Sequence, residues 1–136
     1  MSYQIRKGWP SAGAIDESFE PATATAEFAK TLKGFVVDLA STGKVGLASY
    51  TGGTKTTGIP FFCYDYGTIP AQALCIKSPC VIECDADHYE SGTYNVGGKV
   101  TALAGKFKPW TDGDGEVGTI LAFDNGTLRV LWTALS

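Results

Sequence analysis

Apolar and polar positions alternate along most of the chain after residue 35, and short glycine- or proline-containing breaks interrupt the alternation about every ten residues. The clearest stretch is Ile120-Leu121-Ala122-Phe123-Asp124-Asn125-Gly126-Thr127-Leu128-Arg129-Val130-Leu131-Trp132, two apolar runs separated by Asn-Gly. Asn-Gly supplies the two positive-φ residues of a type I′ turn, so this stretch predicts a β-hairpin. The same period predicts strands over Phe35–Leu39, Val45–Tyr50, Ile59–Tyr64, Ala73–Ile76, Pro79–Cys84, Lys99–Leu103, Gly105–Lys108, Val117–Phe123 and Thr127–Thr133. Turns such as Ser41-Thr42-Gly43-Lys44 and Thr51-Gly52-Gly53-Thr54 punctuate them. Short strands at this spacing predict an all-β fold, a small β-barrel or a jelly-roll-like β-sandwich. No later segment carries a helical stripe long enough to connect parallel strands, which argues against a βαβ architecture.

Residues 1–33 differ. Trp9-Pro10, Phe19-Glu20-Pro21 and Ala22-Thr23-Ala24-Thr25-Ala26 hold isolated aromatics with no sustained period. They read as an extended N-terminal arm preceding a barrel or sandwich domain over 34–136. A short helix across Ala24 to Leu32 would place Ala26, Phe28, Ala29 and Leu32 on one face, although its threonines are poor helix formers.

Length sets the scale of the core: 136 residues suit one domain that buries roughly two-thirds of its unfolded surface. Hydrophobic residues make up 44% of the chain and charged ones only 18%, so less surface than usual can be covered by charge, and part of it is expected to meet protein. A net charge of -3 supplies no basic field for phosphate neutralisation, which argues against direct nucleic-acid binding. No run resembles a signal peptide or approaches the roughly 20 apolar residues of a membrane span, so a soluble protein made in a cytoplasm, without membrane contact, is expected. Cys63, Cys75, Cys80 and Cys84 are then expected as unbridged, buried thiols.

Each candidate for chemistry has a plainer reading. Cys75, Cys80, Cys84 and His88 suggest a zinc site, but a strand over Cys80–Cys84 separates its two sulfurs by about 13 Å, whereas tetrahedral zinc ligands lie within about 4 Å of each other. Glu83, Asp85, Asp87 and Glu90 surround the single histidine, yet Glu83, Asp85 and Asp87 alternate with Ile82 and Cys84 as the wet side of a strand would. No Gly-x-Ser-x-Gly turn exposes a nucleophile. Asp112-Gly113-Asp114-Gly115-Glu116 opens like a calcium loop, but the twelfth position is Phe123, where a bidentate carboxylate is needed. Thr51 to Gly58 lacks the glycine–lysine spacing of a phosphate loop. No catalytic residue, metal or cofactor is expected. The aromatic strand Phe61 to Tyr66 places Phe62, Tyr64 and Tyr66 on one side, and together with Tyr3, Trp9, Phe19 and Phe28 these form the candidate partner-contact set, because interfaces favour large aromatics.

A resemblance adds to this. Asp85-Ala86-Asp87-His88-Tyr89-Glu90-Ser91-Gly92-Thr93-Tyr94-Asn95-Val96-Gly97, Val100 to Phe107, Val117-Gly118-Thr119-Ile120-Leu121 and the closing Leu128-Arg129-Val130-Leu131-Trp132 resemble the head decoration, or cement, proteins of tailed bacteriophages over about residues 78–133. The resemblance implies a non-enzymatic virion protein on the outer capsid surface that clamps neighbouring major capsid subunits, as a homo-oligomer (dimer or trimer) with an arm lying across them. A tail, neck or fibre-base component is the alternative within that class. From another class, a small carbohydrate-binding module or hydrolase would use Asp85 to Glu90 and exposed aromatics.

Overall fold

In a computed structural model that describes residues 3–5, 16–52, 58–77 and 79–133, these segments form eleven strands and one short helix. In chain order they are β1 (Tyr3–Ile5), β2 (Asp16–Pro21), α1 (Ala26–Leu32), β3 (Phe35–Leu39), β4 (Lys44–Leu47), β5 (Ile59–Thr68), β6 (Ala71–Ile76), β7 (Cys80–Cys84), β8 (Lys99–Leu103), β9 (Lys106–Pro109), β10 (Gly118–Asp124) and β11 (Thr127–Trp132). The protein is all-β apart from that helix. Five strands close a small barrel in the order β2-β4-β3-β5-β6, and six form a second sheet, β1-β7-β11-β10-β8-β9. Among the described residues no helix is long and apolar enough to cross a membrane.

The Asn125-Gly126 turn takes the predicted shape, with φ of +51° and +79°, and β10 and β11 pair from Gly118↔Trp132 to Asp124↔Thr127 around a bulge between Ile120 and Ala122. A second turn of this kind joins β8 to β9, where Ala104 and Gly105 hold φ of +48° and +85°. Alanine is a poor residue for this region because its Cβ crowds the following carbonyl. The Ala104 amide is fixed there by the Ser49 hydroxyl at 2.9 Å.

Among the described residues before 34, Tyr3–Ile5 and Asp16–Pro21 are built into the sheets. β1 pairs antiparallel with β7, β2 pairs antiparallel with β6 and in parallel with β4, and α1 packs Ala29 and Leu32 inward against β5 and β6. The barrel therefore begins at Asp16 and cannot close without β2. Residues 6–15, including Trp9, lie outside the described residues. Thr25 caps α1, its hydroxyl accepting from the Phe28 amide at 3.2 Å.

Two cores result. Inside the barrel lie Leu32, Val37, Val45, Phe61, Cys63, Ala73 and Cys75. Between the barrel wall and the second sheet lies a larger core that includes Val36, Phe62, Ile82, Phe107, Val130 and Trp132. β3 and β5 are walls of both: Val37 and Phe61 face one core, Val36 and Phe62 the other. The second aromatic side of β5, expected to meet a partner, is thus covered at Phe62 by the chain's own second sheet.

Backbone hydrogen bonds sew the two units together. The chain leaving β4 continues along β8, with the Tyr50 amide donating to the Ala102 carbonyl at 2.8 Å and the Gly105 amide to the Ala48 carbonyl at 2.8 Å. The Val36 amide donates to the Gly105 carbonyl at 2.8 Å. A Cβ on Gly105 would sit 2.6 Å from Leu47 Cδ2 and 3.0 Å from Phe35 Cβ, so this approach requires glycine.

Two substitutions test the seam. Ala104→Asn relieves a left-handed alanine on the surface and should raise stability by about 0.5–1 kcal/mol, while Gly105→Ala should lower it by about 2 kcal/mol or more. Urea unfolding midpoints at constant m-value report both.

Candidate functional site

Among the described side chains of the contact candidates, Phe62 and Tyr64 belong to the larger core and Phe19 and Phe28 to the margin of the barrel core. Tyr3 stands in register opposite Cys84 in β1. Phe62 is fully buried and offers a partner no surface, and Tyr64 packs half-buried against the same core. Phe19 and Phe28 lie at the margin of the barrel core, Phe19 meeting Phe61 edge-on with ring centroids 4.9 Å apart. Tyr66 is half-buried on the β5–β6 hairpin, with the Lys33 ammonium 5.9 Å above its ring and 3.8 Å from Asp65.

Other side chains carry the exposed apolar surface. Ile69 is 95% exposed at the turn between β5 and β6, the longest hairpin of the barrel, and is followed by a cis Pro70. Beside it lies an open groove of about 460 Å³ lined by Phe19, Ala24, Pro70, Ala71 and Gln72, with Ser18 and Glu20 at its polar side. This groove brings candidate residue Phe19 next to the hairpin tip. Two further exposed apolar side chains are Val96, 74% exposed in the loop before β8, and Phe123, 40% exposed on β10, whose ring rests against Tyr94 and Tyr89 at 5.2 and 5.6 Å. The one available signal for Ile69 was an aliphatic residue placed before proline in a turn, where propensity would call for a polar one.

The titratable groups that suggested chemistry hold the fold. Arg129, the register partner of Glu83, donates to its Oε2 from Nε at 2.8 Å and from Nη2 at 2.6 Å. Asp85 Oδ1 accepts from the Asp87 amide at 3.0 Å, closing the turn after β7, and Glu90 faces Lys106 at 3.8 Å. Asp38, buried in the barrel wall, accepts from the Tyr50 hydroxyl at 2.7 Å beside an open cavity of about 420 Å³ whose one lysine, Lys44, pairs with Glu20 at 3.8 Å. Asp114 is a hub for two loops: its carboxylate accepts from the Gly52 amide at 2.8 Å and from the Thr111 amide and hydroxyl at 2.9 and 3.0 Å. Partial burial raises its pKa, but these donors and nearby Lys108 outweigh that and hold it below the ordinary value. The would-be calcium loop thus spends Asp114 on its own backbone.

His88 is 1% exposed and meets the Phe35 ring at a 39° tilt with centroids 4.6 Å apart, its Nδ1 2.8 Å from the Gly34 carbonyl. A carbonyl only accepts, so Nδ1 carries the proton. Burial lowers the pKa of the ring, against smaller raising effects of the Gly34 carbonyl, Asp85 and Asp87. The ring is therefore a neutral bolt from the second sheet to the barrel. Cys80 and Cys84 point into the larger core, where burial pushes both thiols up to about 12, Asp85 adding to the rise at Cys84. Such thiols stay protonated at neutral pH. Among the described residues no three His, Cys, Asp or Glu side chains gather as a metal site requires.

No family model, curated protein or solved structure matches the chain. The described residues form a scaffold in which many polar side chains are bonded internally, with apolar side chains presented at a hairpin tip, on β10 and in the loop before β8.

Two pH effects follow. The folded chain takes up the His88 proton less readily than the unfolded chain, so that stability is complete above about pH 6.5 and falls as the pH drops through that value. His88→Gln should flatten this slope in urea midpoints measured between about pH 7.5 and 5.5. Asp114 acts lower: its contribution is present above the ordinary carboxylate pKa and is lost on acidification toward its depressed one. At neutral pH, Asp114→Ala should cost about 1 kcal/mol.

Proposed function

We propose that this protein is a virion structural protein of the head-decoration, or cement, kind: it binds the outer face of an assembled capsid and clamps neighbouring copies of the major capsid protein. The observation that carries the reading is Ile69, an aliphatic side chain held 95% in water at the end of a barrel hairpin, beside a groove whose lining mixes Phe19, Ala24, Pro70 and Ala71 with polar side chains. Leaving such a side chain in solvent forgoes roughly 2 kcal/mol that covering it would supply. A rigid hairpin tip meets that condition when it seats against another protein. Val96 and Phe123 are two further exposed apolar side chains, and both fall inside the segment whose motifs resemble the decoration proteins. A net charge of -3 and a low share of charged residues agree with a protein whose partners are proteins rather than nucleic acid.

In this role the protein works by mass action. A ligand with affinity for the assembled lattice and none for its dissociated subunits stabilises the lattice in proportion to its occupancy. Dimers or trimers would multiply the number of hairpin tips per bound unit and raise avidity accordingly. A place on the capsid surface follows.

The test is co-sedimentation of the purified full chain with tailless heads and, separately, with isolated tails. Binding to heads, with a rise in their heat-disruption temperature, is expected. Ile69→Asp should weaken head binding about tenfold or more while shifting the protein's own melting temperature little, since the tip supports no core. Binding to tails alone would transfer the protein to the tail or neck, and absence of binding to either would refute the proposal.

A further inference from the structure

We propose that Cys63 and Cys75 form an oxidisable pair that closes into a disulfide across β5 and β6, fastening the base of the hairpin that carries Ile69. The two residues are direct register partners in the antiparallel pairing of β5 and β6. Partners of that kind share a face, and both lie fully buried inside the barrel. Facing Cβ atoms in such a pair stand about 4.5–5.5 Å apart, against about 3.5–4.5 Å in a disulfide, so closing asks for a local adjustment on the order of 1 Å. The position is suited to give it. A bulge shifts the register between Cys63 and Asp65, and a bulged strand bends and twists more readily than a regular one.

The other two thiols are placed differently. Cys80 and Cys84 lie on one strand, β7, in the other core, and their register partners across the sheet are Trp132 for Cys80 and both Leu128 and Tyr3 for Cys84. Strand geometry keeps their sulfurs about 13 Å apart. None of the four is in a disulfide in this structure. The Cys63 thiol donates to the Asp65 carbonyl at 3.2 Å, a contact that must open when the bond forms.

A buried pair calls for a small oxidant, and hydrogen peroxide is the class that fits. One thiolate attacks the peroxide, giving a sulfenic acid and releasing hydroxide, which takes up the proton that the thiol lost and leaves as water. The second thiol then attacks that sulfur, forming the S–S bond and expelling the oxygen as another water. Two thiols are oxidised and one peroxide is reduced to two waters. Because both thiols are buried, the reaction waits on local opening of the barrel wall and should be slow. The inference stands independently of the capsid reading.

The chain's own cleavage sites make the test direct. Trypsin places Cys63 and Cys75 together on the peptide from Thr56 to Lys77, and Cys80 and Cys84 together on that from Ser78 to Lys99. The full-length protein is treated with hydrogen peroxide, quenched, unfolded with iodoacetamide present, digested without reductant and weighed. The peptide from Thr56 to Lys77 is expected two hydrogens lighter and unalkylated, and the one from Ser78 to Lys99 alkylated on both cysteines. Dithiothreitol should restore two alkylatable thiols to the first peptide, which separates a disulfide from irreversible oxidation. A rise in melting temperature on the order of 5 °C, lost on reduction, is expected from closing this short loop. Alkylation of both Cys63 and Cys75 after treatment, or a bond involving Cys80, Cys84 or a second molecule, would overturn the proposal. An unchanged melting temperature in the cross-linked protein would overturn the claim that the bond secures the hairpin.

Discussion

The backbone seam around Gly105 is the constraint on which the rest of the molecule depends. A buried amide or carbonyl left unpaired costs as much as a lost hydrogen bond, so a chain passing from one sheet to another must find partners on the way. Here the Val36 amide and the Ala48 carbonyl bond to Gly105 and the Tyr50 amide bonds to the Ala102 carbonyl, at 2.8 Å in each of those contacts. Gly105 permits the approach because it has no Cβ and tolerates a φ of +85°. With those bonds made, β3 and β5 lie between two cores and both of their faces are buried.

That double burial explains what happens to the reactive-looking side chains. In a molecule with two cores and few charges, polar groups near the seam are drawn into holding it. His88 reaches the Gly34 carbonyl from the far sheet, Tyr50 reaches Asp38, and Asp114 gathers donors from two loops. Cys80 and Cys84 act as small apolar fillers, and their desolvated thiols keep their protons. Among the large apolar side chains that face outward are Ile69 at a hairpin tip, Val96 in the loop before β8 and Phe123 on β10. A surface of that kind is suited to contact, and the contact reading of this protein grows from it.

Sequence pattern reached different depths in different places. The Asn125-Gly126 hairpin was legible because two positive-φ residues between apolar runs have few other solutions, whereas the alternation read through Asp85 and Asp87 stops at Cys84: β7 buries Cys80, Ile82 and Cys84, and Asp85 closes the turn beyond it. β2 was not legible, since Asp16-Glu17-Ser18-Phe19-Glu20-Pro21 has neither β propensity nor alternation. It is a strand because β6 and β4 present open edges to it. The break after Leu103 was legible, but the left-handed backbone of Ala104 was not: alanine does not announce a positive φ, and the neighbour that holds it there, Ser49, is 55 residues away.

By itself the sequence determined the all-β class, the position of most strands and turns, and the inward-facing cysteines of β7, because period, punctuation and turn chemistry are local properties of a few adjacent residues. Tertiary structure alone decided that the strands divide into a closed barrel and a six-stranded sheet, that Phe62 is core on a strand with two buried faces, and that Ile69 is the side chain left in water. Those outcomes depend on which distant edges pair and which faces meet, and a one-dimensional pattern of polarity carries no information about a partner far away along the chain.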